Sequence, residues 1–268
     1  MSIKQNTQPV GALLRGWRER RRHSQLSLAS EAEISQRHLS FLESGRSSPS
    51  REMILRLAET LRLPLRDRNE LLLAAGFAPA HGEATLQGPD MAEARAAIDA
   101  ILAGHAPHPA LAVDRGWTIL KANAAVAVLT EGAAPHLLEG QVNALRLSLH
   151  PEGVAPRIVN YGEWRAHVLS RLANDIDLSS DARLIALRDE LKGYPAPPGA
   201  AGWPGTTAPS VAVPLVLRSN LGRLSFLSTT TVFGTAVDIT LAGIAIESFF
   251  PADAATAAAM LAPAGAKA

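Results

Sequence analysis

Along residues 10–76, apolar positions recur at helical spacing in short blocks bounded by Ser caps and Gly stops. Leu13, Leu14 and Trp17 mark a first helix. Leu28, Ala29 and Ala32 mark a second, from about Gln25 to Ala32, with Ser24 as its cap. Leu39 and Leu42 mark a third, Gln36 to Ser44, capped by Ser35 and stopped at Gly45. Ser50 caps a fourth that carries Ile54, Leu57, Ala58 and Leu61. A fifth runs from near Arg66 to Ala75 and ends at Gly76. Short helices with short connections predict a compact all-α domain over residues 1–80.

The pattern then changes. Ala78–Gly88 has the Pro/Gly/polar composition of a connection, and a linker is expected over 81–90. After a helix from Met91 to Gly104, two short apolar runs, Ala110–Asp114 and Trp117–Lys121, flank Arg115-Gly116 and predict a tight hairpin. Asn123–Leu129 reads as a short helix. Longer helices are predicted over 156–174 and 180–192, with Ile158, Trp164, Val168 and Leu172, then Leu184, Leu187 and Leu191, as their apolar stripes. Tyr194–Pro209 is a Pro/Gly/Ala-rich loop, long enough to be a lid. Val211–Leu217, Arg223–Val232 and Ala236–Phe250 read as strands. Five strands with helices between the second and third predict an α+β domain on one antiparallel sheet over 91–253. An Ala-rich tail, 254–268, reads as one helix and then disorder.

Charge divides the chain in the same place. The net charge is +1, but residues 1–80 hold thirteen Lys/Arg against eight Asp/Glu, and the rest holds thirteen against seventeen. Arg18, Arg20, Arg21 and Arg22 cluster, and guanidinium forks suit phosphate oxygens, although such a cluster also reads as a solvated helix face. The chain has no cysteine, which excludes disulfides, thiolate metal sites and a cysteine nucleophile. No apolar run reaches membrane-spanning length and the N-terminus lacks a signal-peptide core, so the expected compartment is the cytoplasm. Residues 90–268 contain no G-x-S-x-G, H-E-x-x-H, Walker or G-x-G-x-x-G motif. His105 and His108 are separated by Pro107 and make a poor metal pair. No enzyme activity, cofactor or metal is expected.

The second and third helices have helix-turn-helix spacing, which turns Gln36, Arg37, Ser40 and Phe41 outward. Gln can bond adenine and Arg guanine as bidentate pairs, and Phe can lie on a thymine methyl. Ser35 reaches bases or phosphates, and Gln25, Arg46 and Ser47 are phosphate candidates. A five-helix protein-contact module is the alternative reading of these apolar spacings.

Three motifs carry a resemblance: S-Q-x-x-L-A at 24–29, S-Q-x-x-L-S-x-L-E-S-G at 35–45 and P-S-x-x-x-x-L-x-L-A at 49–58. With these, residues 13–61 resemble the DNA-binding domain of the Cro/C1-type (XRE) helix-turn-helix family. The resemblance implies that Gln25 contacts phosphate, that Gln36 and Arg37 read bases, and that Arg18 pairs with Glu43. Glu33 stands where many relatives have glycine, which implies an altered turn.

P-A-L-A-V-D-R-G-W-T-I-L-K-A-N at 109–123, N-A-L-R-L-S-L-H-P-E-G at 143–153, R-I-V-N-Y-G-E-W-R at 157–165, L-S-F-L-S-T-T-T-V-F-G-T-A-V-D-I-T at 224–240 and I-E-S-F-F-P-A-D at 246–253 are similar to the ligand-binding domain of MmyB-like transcription regulators. That resemblance implies a PAS-like fold, a sheet curved around a pocket for a small hydrophobic molecule, with fatty acids as the leading class. Trp117, Trp164, Phe226 and Phe233 are then candidate pocket aromatics, and Asn123, Asn160 and His150 candidate headgroup partners. Each also reads as core packing or turn chemistry. Gly243 departs from the family's usual acidic residue and suggests a bulge or close approach within a strand.

The expected whole is a regulator with a five-helix helix-turn-helix domain followed by a PAS-like domain. It binds double-stranded operator DNA as a homodimer and senses a small apolar ligand. The rival reading is a C-terminal domain that docks a protein partner through a long exposed strand in Ala236–Phe250.

Overall fold

The computed structural model describes residues 9–179, 181–200, 212–234 and 236–261. These fall into two compact units, drawn from Met1–Thr85 with Thr235–Ala242 and from Leu86–Gly234 with Gly243–Ala268.

The first unit holds α1 (Val10–Arg20), α2 (Gln25–Glu31), α3 (Gln36–Glu43), α4 (Arg51–Thr60) and α5 (Leu65–Ala74). The three expected Ser caps are in place. The hydroxyls of Ser24, Ser35 and Ser50 accept from the N–H groups of Ser27, His38 and Met53 at 3.0, 3.1 and 3.2 Å, each worth about 1 kcal/mol to its helix. Leu14, Leu28, Leu39, Leu42, Ile54 and Leu57 are fully buried between the helices. Gly11 allows α1 to touch α3, because a Cβ there would sit 2.4 Å from the Leu42 carbonyl oxygen. Nothing in the helical period of α1 distinguishes that glycine.

Three of these helices end on a left-handed residue that is not glycine: Arg22, Glu33 and Arg62, at φ +57, +55 and +52°. The next residue in each case returns a hydrogen bond to the helix: His23 to Arg18, Ile34 to Ala29 and Leu63 to Ala58. This is the Schellman arrangement normally completed by glycine. The altered turn expected at Glu33 is therefore absent. The backbone keeps the glycine geometry and accepts the strain of a Cβ.

The second unit carries one five-stranded antiparallel sheet in the order β2-β1-β5-β4-β3. Its strands are β1 (Ala110–Val113), β2 (Ile119–Ala122), β3 (Leu215–Ser219), β4 (Gly222–Val232) and β5 (Ala245–Pro251). Helices α6 (Ala92–Gly104), α7 (Ala127–Thr130), α8 (Ala144–Leu149), α9 (Tyr161–Ser179), α10 (Ala182–Gly193) and α12 (Ala254–Leu261) flank it, while α11 (Ile239–Ala242) folds with the first unit. The fold class is the one expected, five helices followed by an antiparallel sheet with flanking helices.

Several element boundaries differ from expectation for identifiable reasons. The β1–β2 turn is longer than two residues. The Asp114 carboxylate accepts from the N–H groups of Gly116 and Thr118, both at 2.8 Å, and places Trp117 in the turn at φ +63°. Helix α9 begins at Tyr161, because Asn160 is used across the sheet edge: its Oδ1 accepts from Val216 N and its Nδ2 donates to Pro214 O. Ile158 accordingly bridges Leu217 and is not helical. Asn143 caps α8, which was not anticipated.

The run Ala236–Phe250 is not one strand. Asp238 caps the short α11 through the N–H of Thr240, and β5 starts only at Ala245. β5 is the middle strand, paired with β1 and β4, and Ile246, Glu247, Ser248 and Phe249 are buried. The long exposed strand that would have supported the rival partner-docking reading does not form over these residues. Gly243 lies in the turn before β5 rather than inside a strand, and a Cβ there would sit 3.2 Å from the Arg115 side chain. Most of the lid expected over Tyr194–Pro209, and the tail beyond residue 261, lie outside the described residues.

Replacing Glu33 with Gly relieves the left-handed strain and should stabilise the first unit by about 1 kcal/mol. Urea unfolding followed by Trp17 fluorescence checks this, and an unchanged or lower midpoint would count against the strained turn.

Candidate functional site

Two places gather chemistry, one in each unit. In the first, α3 is held by its own carboxylate. The Glu43 side chain, 4% exposed, accepts from Arg18 Nε at 2.6 Å, Arg18 Nη2 at 3.0 Å and Gln25 Nε2 at 2.8 Å. Hydrogen bonding to Glu43 raises the Arg18 pKa, so the guanidinium stays charged although buried. The expected Arg18–Glu43 pair is present, and Gln25 joins it through a contact the sequence did not indicate.

With α3 fixed in this way, Ser35, Gln36 and Arg37 are exposed and Ser40, Phe41 and Ser47 are half-buried. The Phe41 ring has the guanidiniums of Arg37 and Arg46 at 5.3 and 5.9 Å from its centroid. That cation–π contact gathers two charges around one aromatic on the outer side of α3. The arginine cluster of α1 is used differently. Arg20 lies 4.0 Å over Trp17, Arg21 donates to the Leu61 carbonyl, and Arg18 is committed to Glu43. Arg20 and Arg22 are exposed and Arg21 half-buried, so both the end of α1 and the outer side of α3 offer positive charge to a polyanion.

The second place is a cavity of about 80 Å³ inside the sheet unit. Its wall is mainly aliphatic, with Leu111, Ile119, Val126, Leu145, Leu147 and Val168 among its members. Trp117 and Trp164 line it as expected, and Trp164 Nε1 donates to Ser148 Oγ at 2.8 Å. Phe226 is fully buried and Phe233 half-buried, both outside the lining. Asn123 instead ties α6 to β1, donating to Leu102 O and His108 O while accepting from Ala110 N. Asn160 fixes β3. His150 Nδ1 accepts from Glu152 N, and its ring packs edge-on against Tyr194. None of these three polar residues lines the cavity.

The polar residues that do line it include Arg171 and Glu247, which sequence reading missed. Arg171 donates to Glu247 through Nη1 at 3.0 Å and Nη2 at 2.7 Å, and Thr230 Oγ1 donates to the same carboxylate at 2.7 Å. The Arg171 guanidinium also lies 4.8 Å over Trp117, whose Nε1 donates to Asp175 at 3.1 Å. Burial pushes the Asp175 pKa up against the effect of the Trp117 bond, and burial together with Arg171 pushes His167 down. A signal did exist: Glu247 interrupts the apolar run I-E-S-F-F, and Arg171 follows Trp164 and Val168 at helical spacing.

The comparisons agree with this division. Residues 94–262 match the MmyB-like transcription regulator ligand binding domain, and residues 9–71 match a helix-turn-helix domain. The chain belongs to the MmyB-like transcription regulators. This regulator has no match among curated proteins. Among solved structures it matches an RNA-binding Light-Oxygen-Voltage receptor at 14% identity, over 94% of this chain and 60% of that one, with a TM-score of 0.29. The regulator thus spans about 60% of that structure's length. No helix among its described residues is long and apolar enough to cross a membrane.

Replacing Glu43 with Ala leaves the buried Arg18 only the longer contact to exposed Glu19 at 3.6 Å and the His23 carbonyl, and should cost the first unit about 3 kcal/mol. Chemical denaturation measures this loss, and a cost below about 1 kcal/mol, the level of an exposed pair, would contradict it.

Proposed function

We propose that the regulator binds operator DNA sequence-specifically through α3 and that occupation of the cavity by a small hydrophobic ligand alters that binding. Gln36 and Arg37 read bases, Ser40 and Phe41 complete the reading face, and Ser35, Gln25, Arg46 and Ser47 contact phosphate. The protein acts in the cytoplasm as a homodimer, which sets two reading helices about 34–36 Å apart on successive major-groove faces. A fatty acid supplies the apolar chain such a cavity accepts, and its carboxylate would have to satisfy the charges around Arg171.

One observation carries the sensing half of this reading. Ser228 on β4 and Glu247 and Phe249 on β5 line the cavity, and the segment connecting those two strands folds with the helix-turn-helix unit. Within that unit Ile239 N donates to Gly82 O at 2.8 Å, Ala84 N donates to Asp238 at 3.1 Å, and Thr240 Oγ1 donates to Ala84 O at 2.6 Å. Ile239 is buried. A ligand that prefers one position of β4 and β5 therefore biases the support of α5, by no more than its difference in affinity for the two positions.

Two variants test the two halves, using DNA selected from a random pool. Arg37→Ala should cost about 1–3 kcal/mol on the selected sequence and relax one base preference. Equal loss on every sequence would make Arg37 a phosphate contact. Ile239→Ala should leave ligand binding intact and shrink the ligand's effect on DNA affinity, and an undiminished effect would exclude this route. Sedimentation showing a monomer both free and on DNA would exclude the dimer.

A further inference from the structure

We propose that Phe41 is a positioning residue: its ring holds the Arg37 guanidinium ready for base reading, and its carbonyl holds the loop that carries the phosphate contacts. This rests on the reading of α3 as the helix that reads DNA.

Arg37 and Phe41 are four residues apart on α3, so their side chains share a face. The Arg37 guanidinium lies over the Phe41 ring, 5.3 Å from its centroid. The chain leaves α3 through Gly45, whose left-handed φ of +71° turns it back toward the helix. Arg46 N and Ser47 N then both donate to the Phe41 carbonyl, at 2.9 and 3.2 Å, and Ser44 Oγ donates to the same oxygen at 3.3 Å. This turn sets the Arg46 guanidinium over the same ring at 5.9 Å. Both distances lie within the range over which a ring face attracts a cation. Among the described residues, no carboxylate pairs with either Arg37 or Arg46, so the ring is what orders them.

Order matters here because a bidentate contact to guanine demands one orientation of a side chain that has many rotamers. A guanidinium already held over a ring loses less freedom when it docks. The attraction acts on its charge and leaves its N–H donors for the base edge. A ring attended by two guanidiniums also has less face to offer a thymine methyl. Phe41 therefore serves the reading face through Arg37.

The test measures binding of the full chain to DNA selected from a random pool and to single-base variants of that DNA. Arg37→Ala identifies the base that Arg37 reads. Phe41→Leu removes the ring but keeps an apolar side chain and the backbone bonds to Arg46 and Ser47. It should weaken the selected sequence about three- to fivefold, the size of an exposed cation–π contact, and flatten the preference at Arg37's base. Phe41→Tyr restores the ring face and should bind within about twofold of wild type. In the Arg37→Ala background, Phe41→Leu should cost less than about twofold, because the residue it acts through is gone. Equal cost in both backgrounds, or a preference lost at a thymine that Arg37 does not read, would make Phe41 a base contact and overturn the proposal. An unchanged preference in Phe41→Leu would overturn it as well. If Phe41→Leu does not fold, pentafluorophenylalanine at position 41 keeps the ring's shape and removes its negative face. It should flatten the same preference, and wild-type discrimination there would overturn the proposal. Equal loss on every sequence in Arg37→Ala would instead remove the base-reading role of Arg37 itself.

Discussion

A carboxylate removed from water must be held by fixed positive charge and hydrogen-bond donors, or it destabilises the fold that buries it. Each unit of this regulator is arranged around one such group. Glu43, on α3, takes Arg18 from α1 and Gln25 from α2, so three helices share a single polar contact. Glu247, on the middle strand, takes Arg171 from α9 and Thr230 from β4. Buried ion pairs seldom add much net stability compared with well-packed apolar groups. Their directional contacts fix how α3 is presented and what electrostatic face the cavity offers.

The two units differ in what surrounds the pair. Around Glu43 the neighbours are leucines at full burial, and the result is a rigid platform for α3. Around Glu247 the packing stops short and leaves a cavity bounded by aliphatic side chains and two tryptophans. Trp117 is held there by its left-handed backbone, its bond to Asp175 and the overlying Arg171. An aromatic held by these contacts at the cavity wall is placed to report what fills it. The strands that border this volume are the ones whose connection is built into the helix-turn-helix unit, which is why sensing and DNA binding are proposed as one property.

The helical unit was largely legible in the sequence, because its determinants are local. Ser24, Ser35 and Ser50 precede apolar runs at cap spacing, and Gly45 and Gly76 stop helices where left-handed backbone is needed. Gly11 was not legible, since its importance comes from a carbonyl on another helix. In the sheet unit, Trp117 and Trp164, named from the resemblance, lie at the cavity wall. Asn123, Asn160 and His150 were expected to face a ligand, but each satisfies backbone groups brought near it by the fold, a use that no spacing reveals. Arg171 and Glu247 are 76 residues apart and meet only once the sheet is assembled. The run Ala236–Phe250 misled because apolar content alone does not separate a strand from a capped turn and a short helix; Asp238 was the break.

The most direct test of the account is native mass spectrometry of the purified full chain, followed by denaturation and identification of any released molecule. The account predicts an added mass that proves on release to be a small, largely apolar compound. A chain of bare mass that also takes up no added apolar molecule would contradict it.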